Sequence, residues 1–210
     1  APYFIPGLPW PYGIGTFGAV IQQKSPAPNK DALFDLGISG PFLGFVVAVV
    51  VTIIGILMSF TSPIKPQEAA PLPSPLFFDF LLQTLANAGF LRGGQSDNIF
   101  LHPVAFAGWV GMFVTVINLI PAGMLDGGHA VRGLLGQKAS GVLPIIAIVI
   151  LLVLNPDYYW LIAILAFFFS MQRHPGPLDD VSKLTTGRKL AAMLLIAVFI
   201  LCIAPSPYIL

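Results

Sequence analysis

A chain of 210 residues that is 56% hydrophobic and only 9% charged lies far from soluble domains, in which about a quarter of residues are charged, and a conventional water-soluble fold is excluded. The net charge of +1 offers no general basic surface for nucleic acid, and a lone cysteine, Cys202, rules out an internal disulfide. The composition predicts an all-α polytopic membrane protein, a single domain over residues 1–210 built as a bundle of about five transmembrane helices.

Residues 1–24 hold too many breakers for a helix, among them Pro2, Pro6, Pro9, Pro11, Gly13 and Gly15. They predict an extended, β-like re-entrant loop with "TFGAVIQ" as a short strand. Residues 36–64 are uncharged and predict a span over 37–60, entered through Gly37, Gly40 and Gly44. The Gly40/Gly44 pair has the spacing that lets helix backbones approach closely. A proline-rich linker over 61–75 leads to an apolar helix at 76–90, where Asp79, Gln83 and Asn87 recur every fourth residue. That pattern predicts an interfacial helix, with a lid or a partner groove as alternatives. Residues 98–125 give a second long uncharged stretch and a span over 99–121. Two shorter arms, 141–154 and 158–171, flank the turn signal Asn155-Pro156-Asp157, as two short spans or a re-entrant hairpin. A last span runs over 189–204.

This parity puts residues 1–35, 126–138 and 172–189 on one side of the bilayer. Lys24, Lys30, Arg132, Lys138, Arg173, Lys183, Arg188 and Lys189 lie there, against Lys65 and Arg92 on the other. The positive-inside rule makes the richer side cytoplasmic, which predicts a multi-pass protein of the cell membrane with Asp126 on the cytoplasmic side. Asp179 and Asp180, in a loop on that side, read as solvated.

Asp126 emerges straight from a span, at a cost of a few kcal/mol on insertion scales that some interaction must offset. It could cap the helix that follows. Alternatively, Pro121 and Gly123 break the helix after Asn118, and irregular backbone at membrane depth lines a cavity or a site. An amide, a broken helix and a carboxylate followed by Gly127 and Gly128 make a corner suited to positioning a ligand. A transporter would use such a carboxylate for ion coupling.

The stretch "NLIPAGMLDGGHAVRGLLG" resembles the Asn-x-x-Pro-x-x-x-Leu-Asp-Gly signature of the site-2 protease family, zinc metalloproteases that cut transmembrane helices within the bilayer. "PYFIPGLPWPYGIGTFGAVIQQKSPAPNKDALFDLGISGPFLGF" and "HPGPLDDVSKLTTGRKLAAMLLI" are similar to further regions of its archaeal, bacterial and plastid branch, in the family's order. The resemblance implies that Asp126 is a zinc ligand and that Asn118 is a catalytic residue positioning the substrate or the oxyanion. It implies a transmembrane-helix protein as substrate, cleaved near the cytoplasmic face, and the lipid bilayer as surroundings. It says nothing of oligomeric state.

The family's His-Glu-x-x-His motif, source of two zinc ligands and the general base, is absent: the one glutamate, Glu68, follows Gln67. His102 lies at the far end of a span from Asp126, about 36 Å away at helical rise. A substitute site from Asp126, His129 and His174 is conceivable. In the family that motif precedes the proline-rich loop on which this chain opens, so the expectation is a piece of a longer protease, with two ligands upstream of Ala1. The alternative is a noncatalytic scaffold or helix-binding relative.

Overall fold

A computed structural model describes residues 2–6, 16–21, 25–62, 74–91, 98–154, 156–171 and 176–204. The first two segments, β1 (Pro2–Pro6) and β2 (Thr16–Ile21), pair antiparallel from Pro2 opposite Ile21 to Ile5 opposite Gly18, with a register shift before Pro6. The expected strand is thus present, and its partner is the segment whose prolines made it look irregular: both stand at strand ends, where a missing N–H is tolerated.

Helix α1 (Lys30–Met58) starts where the Asn29 side chain accepts the Ala32 N–H at 2.8 Å and Asp31 faces the positive end of the helix dipole. It begins well before residue 37, because this polar first turn is anchored by other parts of the chain, described below. After Met58 the Ser59 hydroxyl donates to the Gly55 carbonyl at 2.8 Å and accepts from the His102 N–H at 2.9 Å. Ser59 thereby joins the end of α1 to the start of α3 (Pro103–Leu119), capped by His102 with Pro103 in its first turn. Between these helices, β3 (Phe60–Ser62) and β4 (Asn98–Phe100) form a short antiparallel pair, with the Phe60 and Phe100 rings stacked 5.3 Å apart. The helix within the stretch expected as a span from residue 99 begins at 103: residues 98–100 satisfy their backbone in a ladder instead.

The remaining elements are α2 (Leu76–Asn87), α4 (Asp126–Leu154), α5 (Pro156–Ser170) and α6 (Thr186–Cys202). Two of the described helices, α1 and α4, are long and apolar enough to cross a membrane. α4 is not one straight rod. Gly136 has φ 81° and ψ −171°, a conformation reserved for glycine, and divides it into two helical arms.

The first and third helices lie almost backbone to backbone, antiparallel. A methyl on Gly108 would stand 2.7 Å from the Thr52 nitrogen, and one on Gly111 2.9 Å from the Ala48 Cβ; Gly55 meets the backbone of Ala105 in the same way. Small residues at the contact are how helices associate in lipid, where apolar burial alone gives no preference for protein over hydrocarbon. Around this seam Ile56, Phe78, Leu82, Met112 and Val116 form the larger buried cluster. A second cluster joins Ile120 and Ala122 to Leu151, Tyr159 and Ala166. The Tyr159 hydroxyl donates to the Ala204 carbonyl and accepts the Ala204 N–H at 2.8 Å, holding the end of α6 against α5.

The polar stripe expected on the interfacial helix is interrupted. Gln83 and Asn87 are exposed, but Asp79 is buried, accepting a hydrogen bond from the Ser74 hydroxyl. Burial raises its carboxyl above the ordinary value, an effect the Ser74 bond partly offsets.

Asp179 and Asp180 are exposed, as expected, and their loop is also a fastening. Leu178 and Asp179 donate backbone bonds to Ala27 and Pro28 at 2.9 and 3.0 Å. Arg188 reaches Asp31 at 2.9 Å and Asp35 at 2.5 Å. Asp180 takes two bonds from Arg132, at 3.0 and 2.7 Å, and Lys30 stands 3.6 Å away. The Arg132 hydrogen bond is the main reason that the Asp180 carboxyl lies below the usual range; Asp179, bonded to Ser182, is lowered too. The ends of α1, α4 and α6 that parity placed together thus meet in one charged rim.

Candidate metal centre

α3 ends at Leu119, and residues 120–125 form a tight turn in which Ala122 donates to the Ile120 carbonyl at 2.7 Å and Leu125 to the Ala122 carbonyl at 3.0 Å. Pro121 lacks the N–H needed to continue the helix, and Gly123 takes φ 46° to reverse the chain. α4 then starts at Asp126. The two glycines after it have a steric reason: a methyl on Gly127 would stand 2.2 Å from the Leu119 carbonyl oxygen, and one on Gly128 2.3 Å from the Gly123 carbonyl oxygen. The first turn of α4 is therefore folded down onto the last residue of α3. Leu119 and Gly127, the residues that follow Asn118 and Asp126, thus meet backbone to backbone, and the stretch from Asn118 to Asp126 forms one corner of the chain.

Asp126 does not cap the helix. The residue ahead of it, Leu125, supplies the carbonyl that accepts the His129 N–H at 3.1 Å, and the Asp126 carboxylate makes no hydrogen bond among the described residues. It is half-buried, with Gly40 of α1 against its Oδ2 and His129 near enough to interact electrostatically. Asn118, also half-buried, uses none of its side-chain hydrogen-bonding capacity among the described residues. His129 is buried, and its Nδ1 lies 2.9 Å from the Leu125 carbonyl oxygen. A carbonyl only accepts, so Nδ1 is the donor in this bond.

This corner fits one part of a zinc site. A carboxylate with its lone pairs uncommitted, held on a helix N-terminus by glycine contacts, is a competent ligand. Zinc that activates water needs three protein ligands, and among the described residues no three metal-binding side chains come together. His102 caps the opposite end of α3 and takes no part. Of the conceivable substitute set, Asp126 and His129 are neighbours, while His174 lies outside the described residues. Residues outside this corner would have to complete the coordination.

Comparison with known proteins decides the family. The model of peptidase family M50 matches residues 6–155, well over half of the chain. The chain belongs to peptidase family M50, the site-2 proteases. Among curated relatives, a probable zinc metalloprotease, EGY1, chloroplastic, of Oryza sativa subsp. japonica is 36% identical over 66% of this chain and 23% of its own length. The probable zinc metalloprotease EGY2, chloroplastic, of Arabidopsis thaliana is 27% identical over 99% of this chain and 36% of its own. The M50 likeness also reaches a protein not named as a protease, the DDT domain-containing protein PTM of Arabidopsis thaliana, 33% identical over 64% of this chain and 9% of its own length. The chain spans between about a tenth and about a third of these relatives. No solved structure matches it. The matched M50 region contains α1, α3 and the whole of the Asn118–Asp126 corner.

Proposed function

We propose that this chain is the aspartate-bearing part of an intramembrane zinc metalloprotease that cuts transmembrane segments near the cytoplasmic face. The observation that carries the reading is the carboxylate of Asp126: it is costly to place at the edge of a span, makes no hydrogen bond among the described residues, and stands at the start of a helix directly after the turn that ends α3. In this reading Asp126 is one zinc ligand, and a His-Glu-x-x-His helix outside these 210 residues supplies two more and the general base. Zinc lowers the pKa of a bound water and polarises the scissile carbonyl. Asn118, on the last turn of α3, donates to that carbonyl or to the oxyanion that forms from it. In this reading the charged rim of Lys30, Arg132, Asp180 and Arg188 lies toward the cytoplasm, as the excess of cations expected on that side supports.

The test is Asp126→Asn in the protein with its natural flanking sequence. Bound zinc, measured by elemental analysis, and cleavage of a transmembrane reporter should both be lost, with Asn118→Ala reducing cleavage while leaving zinc in place. Retention of zinc and cleavage by Asp126→Asn refutes the assignment. The second reading is a noncatalytic relative that keeps the scaffold to bind helices; the likeness to a protein not named as a protease favours it. It predicts no zinc and no cleavage in the unaltered protein.

A further inference from the structure

Resting on the reading of Asp126 as a metal ligand, we propose that Gly40 is a positioning residue that sets where the Asp126 carboxylate stands. Gly37, Gly40 and Gly44 lie on one face of α1, and each meets something different. A methyl on Gly37 would stand 2.5 Å from the Asp126 carbonyl oxygen and 2.6 Å from the Ala130 nitrogen, so Gly37 governs how closely the two backbones approach. A methyl on Gly40 would meet Oδ2 of Asp126 at 3.2 Å and its Cγ at 3.9 Å, and nothing else within 4 Å among the described residues outside its own stretch of helix. A methyl on Gly44 would make an ordinary 3.8 Å contact with the Thr115 hydroxyl. Of the three, Gly40 alone touches only the reactive group of the Asp126 side chain.

Among the described residues no hydrogen bond holds the carboxylate, and what touches it there is packing. On the side of Gly40 that packing continues into an apolar groove of about 430 Å³ between α1 and α3, walled by Leu43, Gly44, Ala107 and Gly111, which offers no donor to a carboxylate. Alanine at position 40 would displace Oδ2 by a few tenths of an ångström. Metal–ligand distances are held to about 0.2 Å, and disturbing the groups that orient a ligand costs about 10- to 100-fold in metal affinity.

The experiment compares Gly40→Ala, Gly44→Ala and Asp126→Asn in the protein with its natural flanking sequence. Zinc affinity is measured by chelator competition, and ligand geometry by the visible absorption bands after replacement by cobalt(II). Gly40→Ala should lose about 10- to 100-fold in affinity and shift the cobalt bands. Gly44→Ala, on the same helix face, should match the unaltered protein in both. If Asp126→Asn abolishes binding but Gly40→Ala behaves as Gly44→Ala does, the inference about Gly40 falls and the ligand assignment stands. If Asp126→Asn leaves affinity unchanged, the assignment and the inference fall together. Should Gly40→Ala unfold the protein, the double variant Gly40→Ala/Asp126→Ala decides, because it removes every atom that the new methyl meets. Stability must then return to that of Asp126→Ala alone, and a persisting loss would show that Gly40 acts elsewhere.

Discussion

Removing the acidic partner of Arg132 should destabilise the protein more than removing Arg132 itself. The Arg132 side chain is only 4% exposed, with its Nε unpartnered among the described residues, whereas that of Asp180 is 43% exposed. Asp180→Asn strands a buried guanidinium, which costs about 3–5 kcal/mol when both partners are fully buried. Water reaches the open side of this pair and screens it, so the expected loss is about 2 kcal/mol. Arg132→Met, by contrast, leaves an aspartate that water can solvate and that Lys30 already faces at 3.6 Å, for a loss of about 1 kcal/mol or less. Equilibrium unfolding in mixed micelles measures both. An equal or larger loss for Arg132→Met would refute the reasoning. The pair also sets an acid limit. The folded-state carboxyl of Asp180 lies below its ordinary value of 3.8, so its contribution is complete above that pH and is lost as the pH falls through the lower folded value. Asp180→Asn should abolish that part of the acid dependence.

Asp79 should behave in the opposite sense. Burial raises its carboxyl, so its contribution is full below pH 3.8 and is lost as the pH rises through the folded value; Asp79→Asn should leave stability at pH 7 unchanged or increased, by the same unfolding assay. Tyr159→Phe leaves the buried N–H and C=O of Ala204 without their partner and should cost about 1–3 kcal/mol. Gly108→Ala pushes a methyl against the Thr52 nitrogen and Cα, which cannot give way, and should cost about 3 kcal/mol. Gly141→Ala, with nothing within 4 Å among the described residues, is the control and should cost no stability in the same unfolding assay.

Much of the helical plan was legible because hydrophobic length is a direct consequence of bilayer thickness: each expected span overlaps a helix, and the break after Asn118 follows from Pro121 and Gly123. Strand β4 was not legible, since "NIF" is as apolar as the helix it precedes and is distinguished only by its pairing with β3. The inward turn of Asp79 was hidden for a similar reason: a period of four shows that residues share a face, not which face is buried. In the candidate centre, Asp126 and Asn118 could be named from their motif. The role of Gly40 could not, because the signal of Gly40 and Gly44 is identical in sequence, and only the structure shows that one meets a carboxylate and the other a hydroxyl. The rim of ion pairs was invisible as well, since Asp180 and Arg132 are far apart in the chain.

The break at Gly136 gives α4 the mechanics of a jointed shaft. The arm ahead of it, about 15 Å long, is seated on α1 through Gly37 and Gly133 and bolted to the rim through Arg132. The arm beyond it, about 27 Å long, nearly matches the hydrocarbon thickness by itself and packs with α5. A regular helix transmits torque through its continuous ladder of backbone bonds. Here one residue outside helical geometry interrupts that regularity, so the direction of the long arm is set at Gly136 separately from that of the short arm that begins with Asp126.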